Sequence, residues 1–314
     1  MSEVQEIEKT LVLLDAHALI HRSYHAIPRL THRGMQLNAV YGFAATLLHI
    51  VRTLDPEYLA VCFDEKGPTF RDADYAEYKA HRPPTPDELK SQFPLCRQLV
   101  DEFGIPLFAL AGYEADDLIG TLAEQAKTLG TPTLIVTGDH DSYQLVDDYV
   151  KIYNVSRGIQ KAEIVDADSV RARYGFGPEH IVDYKALRGD TSDNIPGVPG
   201  IGEVTAKKLI TQFGTVEALY EALEIDFETP VAGVPEKLRV KLLEHMDKAF
   251  LSKKLATIER HAPISLDLAA CRIKAYNEDG ARALFKEWNF RSLAVKLPTA
   301  EPTLIDDSQQ AMFS

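Results

Sequence analysis

The stretch GYEADDLIG, residues 112–120, puts three carboxylates, Glu114, Asp116 and Asp117, into four positions and runs straight into an apolar helical pattern. Two kinds of chemistry ask for that arrangement. Acidic side chains in a first helical turn offset the positive end of the helix dipole, and Asp caps the free amides there. Alternatively, clustered carboxylates hold hard divalent cations, because Mg²⁺ and Mn²⁺ prefer oxygen ligands. Three further apolar runs, TLVLLD, YLAVCFD and TLIVTGDHD, likewise end in carboxylates: Asp15, Asp64, Asp139 and Asp141. Seven such groups brought together would repel one another and take up protons unless cations neutralised them. The pattern therefore predicts a site for two ions about 4 Å apart, an arrangement that activates water and stabilises a phosphoryl leaving group. His140, between Asp139 and Asp141, is expected to be an exposed or hydrogen-bonded histidine rather than a ligand.

The elements that must bring these groups together are legible as well. The four apolar runs, IPLFALAGYEADD included, alternate with helical patterns over residues 40–54, 92–103 and 116–129. That alternation predicts an α/β fold with buried parallel strands and crossover helices. Right-handed crossovers place all the strand carboxyl ends along one edge, where ligands bind.

Two other segments carry chemistry of their own. RGDTSDNIPGVPGIGEVTAKKLI, residues 188–210, joins two helical patterns through a loop holding Gly197, Gly200 and Gly202, with Lys207 and Lys208 just beyond. Prolines stiffen such a loop, glycines let its backbone approach a ligand, and the amides opening the next helix attract anions. No Gly-Lys-Ser/Thr follows, so this is not a nucleotide P-loop. Asp190 and Asp193 precede it and could join the acidic set. Residues 67–92 form a long excursion that interleaves Arg71, Tyr75, Tyr78, Lys79, His81 and Arg82, the mixture of rings and cations that holds single-stranded nucleic acid.

Composition limits the alternatives. A 314-residue chain with 45% hydrophobic residues can build one large or two ordinary cores. No apolar stretch is long enough to span a membrane and the N-terminus lacks a signal pattern, so a cytoplasmic location is expected. Cys62, Cys96 and Cys271 have neither disulfide nor zinc-knuckle spacing. The net charge of −13 argues against a nucleic-acid partner, yet nine of the carboxylates behind it belong to the candidate metal set. Residues 1–8 and 299–314 are expected to be flexible tails, the second a possible linker remnant.

The motifs together resemble the 5′ nuclease family, which includes the N-terminal 5′–3′ exonuclease domain of bacterial DNA polymerase I, phage 5′ nucleases and flap endonucleases. DAHALIHRSYHA, FDEKGPTFRDADYAEYKAHRPPTP, GYEADDLIGTLA, TGDHDSYQLV and RGDTSDNIPGVPGIGEVTAKKLI match family motifs in order and spacing over residues 10–298. The resemblance implies a PIN-like catalytic domain over 9–174 with a helical arch at 67–92, then a helical DNA-binding region over 175–298 with a helix-three-turn-helix element at 178–213. By position it implies two Mg²⁺ or Mn²⁺ ions on Asp15, Asp64, Glu114, Asp116, Asp117, Asp139, Asp141, Asp190 and Asp193. Lys79 and Arg82 would act on the scissile phosphate, Arg22 and Arg71 would contact phosphates, and Tyr78 would stack on a base. The hairpin, with Gly197, Gly200, Gly202, Lys207 and Lys208, would grip duplex DNA and hold K⁺. The implied enzyme hydrolyses DNA at 5′ flaps, nicks or recessed 5′ ends in replication and repair, as a monomer associated with the bacterial nucleoid, with a polymerase fused or in trans. A PIN-type metal-dependent endoribonuclease and a non-catalytic branched-DNA-binding module are the alternatives.

Overall fold

The first strand, β1 (Leu11–Asp15), is buried along its whole length, with Leu11 and Leu13 facing one hydrophobic cluster and Val12 and Leu14 the other. Burial on both faces is what a continuous apolar run in a parallel sheet requires. The computed structural model describes residues 10–224, 230–273 and 277–297; the tails expected at 1–8 and 299–314 lie outside the described residues.

The other strands are β2 (Thr31–His32) and β3 (Met35–Gln36), which form a separate hairpin, and β4 (Tyr58–Cys62), β5 (Leu107–Phe108), β6 (Thr133–Thr137), β7 (Val150–Asn154) and β8 (Glu163–Val165). The main sheet has the order β5-β4-β1-β6-β7-β8, parallel throughout except for β8. Pairing of Leu14 with both Val61 and Val136 aligns the carboxyl ends of the three central strands. The chain moves outward from β1 through β4 to β5, then returns to β6 on the other side of β1. Connections leaving β1 and β6 thus diverge, and a crevice opens between them.

Helix Ala115–Thr128 covers one face of the sheet with Leu118, Ile119 and Leu122. That cluster runs without a break into helices Ile181–Arg188, Glu203–Phe213 and Val216–Glu224. Helices Ala16–Ala26, Asn38–His49 and Phe93–Glu102 cover the opposite face. Helix Glu278–Glu287, placed in sequence with the helical DNA-binding region, packs instead against Phe93–Glu102, burying Phe285, Trp288 and Phe290. Its amphipathic pattern marks it as a packed helix but carries no information about which face of the sheet it joins.

The excursion at 67–92 carries short helices at Phe70–Asp74 and Asp87–Lys90, joined by turns. Helix Ile181–Arg188 and helix Glu203–Phe213 flank the glycine loop. Among the described residues no helix is long and apolar enough to cross a membrane.

Candidate active site

Asp15 ends β1 and caps the next helix: one carboxylate oxygen accepts the Ala18 amide at 3.0 Å, the other the Thr137 hydroxyl at 2.8 Å. Burial, with Asp64 and Asp139 close by, pushes its carboxyl up to about 7. Asp64 follows β4 and accepts the Ala115 amide at 2.6 Å; its other oxygen lies 3.5 Å from His17 Nδ1. Glu114 stands at the N-cap of helix Ala115–Thr128, and Asp116 in its first turn. Asp116 Oδ1 is a buried acceptor without a partner, and burial followed by the charges of Asp15 and Asp139 drives its carboxyl far above the usual range. Asp139 follows β6, where its Oδ1 accepts the Asp141 amide at 2.9 Å.

A second group gathers at the glycine loop. Lys79 Nζ donates to Glu114 at 2.7 Å and stands 3.5 Å from Asp193, while Arg82 pairs with Asp193 and donates to the Ser192 carbonyl at 3.0 Å. Burial opposes the charge on Lys79, but Glu114 and Asp193 outweigh it and raise its pKa. Lys79 is held at φ 52, a left-handed conformation that costs a lysine about 1 kcal/mol, with its amide bonded to the Asp193 carbonyl. Asp141 and Asp190 share the ammonium of Lys185. Asp141 is pushed up to about 7 by burial, whereas at Asp190 burial is outweighed by Lys185 and Ser192, which hold its carboxyl at about 2.

These groups line two clefts that meet at Asp139. One, of about 290 Å³, holds Asp15, Asp64, Asp116, Lys79 and Arg82; the other, of about 440 Å³, is lined by Arg22, Asp141, Lys185, Arg188 and Asp190. A mainly carboxylate lining, with His17 and His21 beside it and an orphaned buried carboxylate oxygen, fits hard divalent ions. Among the described residues no three side chains yet close into a ligand cage, as expected of like charges that repel each other while lysines and an arginine hold some of them apart.

Models of two 5′–3′ exonuclease units match in tandem: the N-terminal resolvase-like domain over residues 10–175 and the C-terminal SAM fold over residues 176–279. The chain belongs to the 5′–3′ exonuclease family. It is 43% identical to DNA polymerase I of Bacillus caldotenax over 298 residues, covering 94% of this chain and 33% of that protein. DNA polymerase I of Bacillus subtilis is 41% identical over 290 residues, 92% of this chain and 32% of that protein. The chain therefore spans about a third of the length of these polymerases. Its fold is that of T5 5′-exonuclease with bound zinc (TM-score 0.62, 21% identity, 91% of this chain and 99% of that one). It is also that of the catalytic core of Rad2 with a DNA substrate (TM-score 0.60, 17% identity, 91% and 89%).

Within this exonuclease fold, four residues expected at the site do other work. Both oxygens of Asp117 are committed: Arg71 binds them at 2.7 and 2.8 Å, and the amides of Glu114 and Glu259 bind at 3.0 and 2.9 Å. Asp117 is thus a buried cap and ion-pair partner, with no oxygen left for a metal. Arg71, 2% exposed, also donates to the carbonyls of Leu255 and Thr257, so its guanidinium cannot reach a phosphate. Tyr78 is buried and its hydroxyl lies 3.2 Å from both Glu114 and Asp193, so its ring is not offered to a base. Gly197 is buried too, its amide donating to Ser252 Oγ at 2.9 Å; a Cβ there would lie 2.3 Å from the Gly189 nitrogen. Its absent side chain serves packing.

The others stand at surfaces. Arg22 lines the wider cleft, its Nε 3.4 Å from the Ser156 carbonyl. Gly200 and Gly202 are exposed in the exonuclease hairpin, and Lys208 is exposed beyond them. Lys207 folds back on Glu203 at 2.7 Å. His140 Nδ1 is 3.4 Å from the Arg173 guanidinium.

Sequence reading missed Lys185, Arg188 and His17 at the clefts; Lys241 stands by the hairpin, its ammonium 2.6 Å from where a Cβ on Gly200 would lie. His17, the second residue of the helix that Asp15 caps, was accessible by position. Lys185 was a single lysine on an ordinary helical face, without a sequence signal.

Proposed function

We propose that this chain is a divalent-metal-dependent 5′ nuclease that hydrolyses DNA phosphodiesters at 5′ flaps, nicks or recessed 5′ ends during replication and repair. The observation that carries the reading is the unpartnered Asp116 oxygen in one cleft with Asp15, Asp64, Lys79 and Arg82, in a chain of the exonuclease family. Asp15, Asp64, Glu114, Asp116 and Asp139 would hold one ion, and Asp139, Asp141, Asp190 and Asp193 the other. Mg²⁺ or Mn²⁺ supplies Lewis acidity toward water and the scissile phosphate.

The chain's own residues do the rest. Lys79 and Arg82 keep two cations beside the acidic cleft, held there by Glu114 and Asp193, ready to meet the charge that develops on a phosphate. Arg22 and Arg188 line the neighbouring cleft, a route for the phosphates of the cut strand. Gly200, Gly202 and Lys208 offer backbone and charge to the duplex, with K⁺ at this loop as part of the same proposal. The enzyme acts as a cytoplasmic monomer, and a polymerase region works with it, fused or in trans.

Labelled flap, nicked and single-stranded substrates digested with and without Mg²⁺ test this. Mg²⁺-dependent cutting at the flap junction is expected. Cutting of unpaired RNA without need of a duplex would replace it with an endoribonuclease, and tight flap binding without cutting would leave a binding module.

A further inference from the structure

Resting on that nuclease reading, we infer that Lys185 is a built-in counter-ion at the second metal position, and that a divalent ion enters there only by displacing its ammonium from between Asp141 and Asp190. Lys185 is 6% exposed, and its Nζ donates to Asp190 at 2.6 Å and to Asp141. A buried ammonium needs such partners, and here it has two. An ion binding the same two carboxylates while the ammonium stayed would face a like charge at contact distance in a poorly solvated place.

The inner group is built differently. Asp15 is bonded to an amide and a hydroxyl, Asp139 to an amide, and Asp116 Oδ1 to nothing. Lys79 does hold Glu114 at 2.7 Å, but an ion can reach Asp15, Asp116 and Asp139 without displacing it. The two positions are therefore unequal: at the inner one these three carboxylates carry no cation, whereas Asp141 and Asp190 at the outer one share a lysine.

A displaced Lys185 has a place to go. Its helix, Ile181–Arg188, borders the cleft of about 440 Å³ that Arg22 and Arg188 also line, and its four-carbon stem allows the ammonium to swing into it. A DNA strand threaded there would supply phosphates to receive the ammonium. DNA and the outer ion then favour each other's binding, while the inner ion is indifferent to the lysine.

Mn²⁺ binding to the folded, DNA-free protein, followed by the electron-spin signal of free Mn²⁺, tests this. Wild type should show one stronger and one weaker class. Lys185→Ala should tighten the weaker class about tenfold or more and leave the stronger unchanged, while Lys185→Arg keeps it weak. An unchanged weaker class, or an equal shift in both, overturns the inference. Absence of any Mn²⁺ binding to wild type would instead overturn the metal-nuclease reading beneath it. A measurement on wild type alone guards against a misfolded variant: reductive methylation read by peptide mass spectrometry. Lys185 should be protected without Mn²⁺ and while only the stronger class fills, and become reactive as the weaker class fills. Constant reactivity throughout overturns the inference.

Discussion

Arg71 and Asp117 form a bidentate ion pair, nitrogen to oxygen 2.7 and 2.8 Å, with both side chains closed off from solvent. The pair fastens the start of the 67–92 excursion to helix Ala115–Thr128, and the same guanidinium ties in the carbonyls of Leu255 and Thr257. The neighbouring Asp116 lines the acidic cleft and keeps a buried oxygen without a partner. Two adjacent aspartates thus divide the two duties of the motif, one holding the fold and one left for chemistry.

Breaking the buried pair leaves an uncompensated charge, so Arg71→Ala should lose roughly 3–5 kcal/mol of stability. Asp117→Asn should also destabilise, while whatever fraction folds keeps its divalent-ion binding. Denaturant unfolding alongside Mn²⁺ titration checks both. A loss of ion binding in stably folded Asp117→Asn would return that residue to the metal set.

Asp116→Asn should do the reverse: abolish cleavage, retain DNA binding, and stabilise the metal-free protein, because the buried Asp116 carboxyl takes up a proton on folding at a cost that Asn does not carry. Flap cleavage in Mg²⁺ and thermal melting in chelator give the two readouts. Normal cleavage by this variant would remove Asp116 from the ligand set.

Stability should depend on pH in a definite direction. Asp15 titrates at about 7 in the folded chain against 3.8 in its ordinary state, so the folded state binds its proton more tightly. Its contribution to stability is present below about pH 4 and is lost as pH rises through 7. Between pH 5 and pH 8 metal-free wild type should therefore lose more stability than Asp15→Asn, the half-buried histidines such as His21 pulling the other way equally in both, and Mg²⁺ should restore more at pH 8. Equal Mg²⁺ stabilisation at both values would count against Asp15 as a ligand.

Anchoring and catalysis should separate. Lys79→Ala should lower the single-turnover rate with little change in duplex affinity. Lys208→Ala, removing an exposed charge at the hairpin, should cut the salt dependence of duplex binding by about one unit of slope. Lys207→Ala should do less, because Glu203 already occupies that ammonium. Identical behaviour of Lys79→Ala and Lys208→Ala would mean that no such division exists.

Much of this molecule was legible in the chain by itself. Apolar runs of strand length ending in Asp located β1, β4 and β6 and the edge where their carboxylates meet, because a buried parallel strand must be apolar throughout and can turn polar only as it leaves the sheet. β5 is shorter than its apolar run, and β7 and β8 were not foreseen, their mixed residues resembling a loop. Glycine and proline spacing located the hairpin, since positive φ and fixed φ are local demands. What neighbours a side chain meets is not local. Asp116 and Asp117 are chemically identical and adjacent, yet a helix turns successive side chains about 100° apart, so one faces the crevice and the other a guanidinium supplied 46 residues earlier. Arg71 and Tyr78 read as ligands for DNA because cations and rings usually lie outside, and tertiary packing turned both inward. Lys185 came to stand between Asp141 and Asp190 only when one helix was laid against the end of the sheet. Charge pairing across such distances is decided by the fold, because a Coulomb interaction depends on separation in space and a sequence records only separation along the chain.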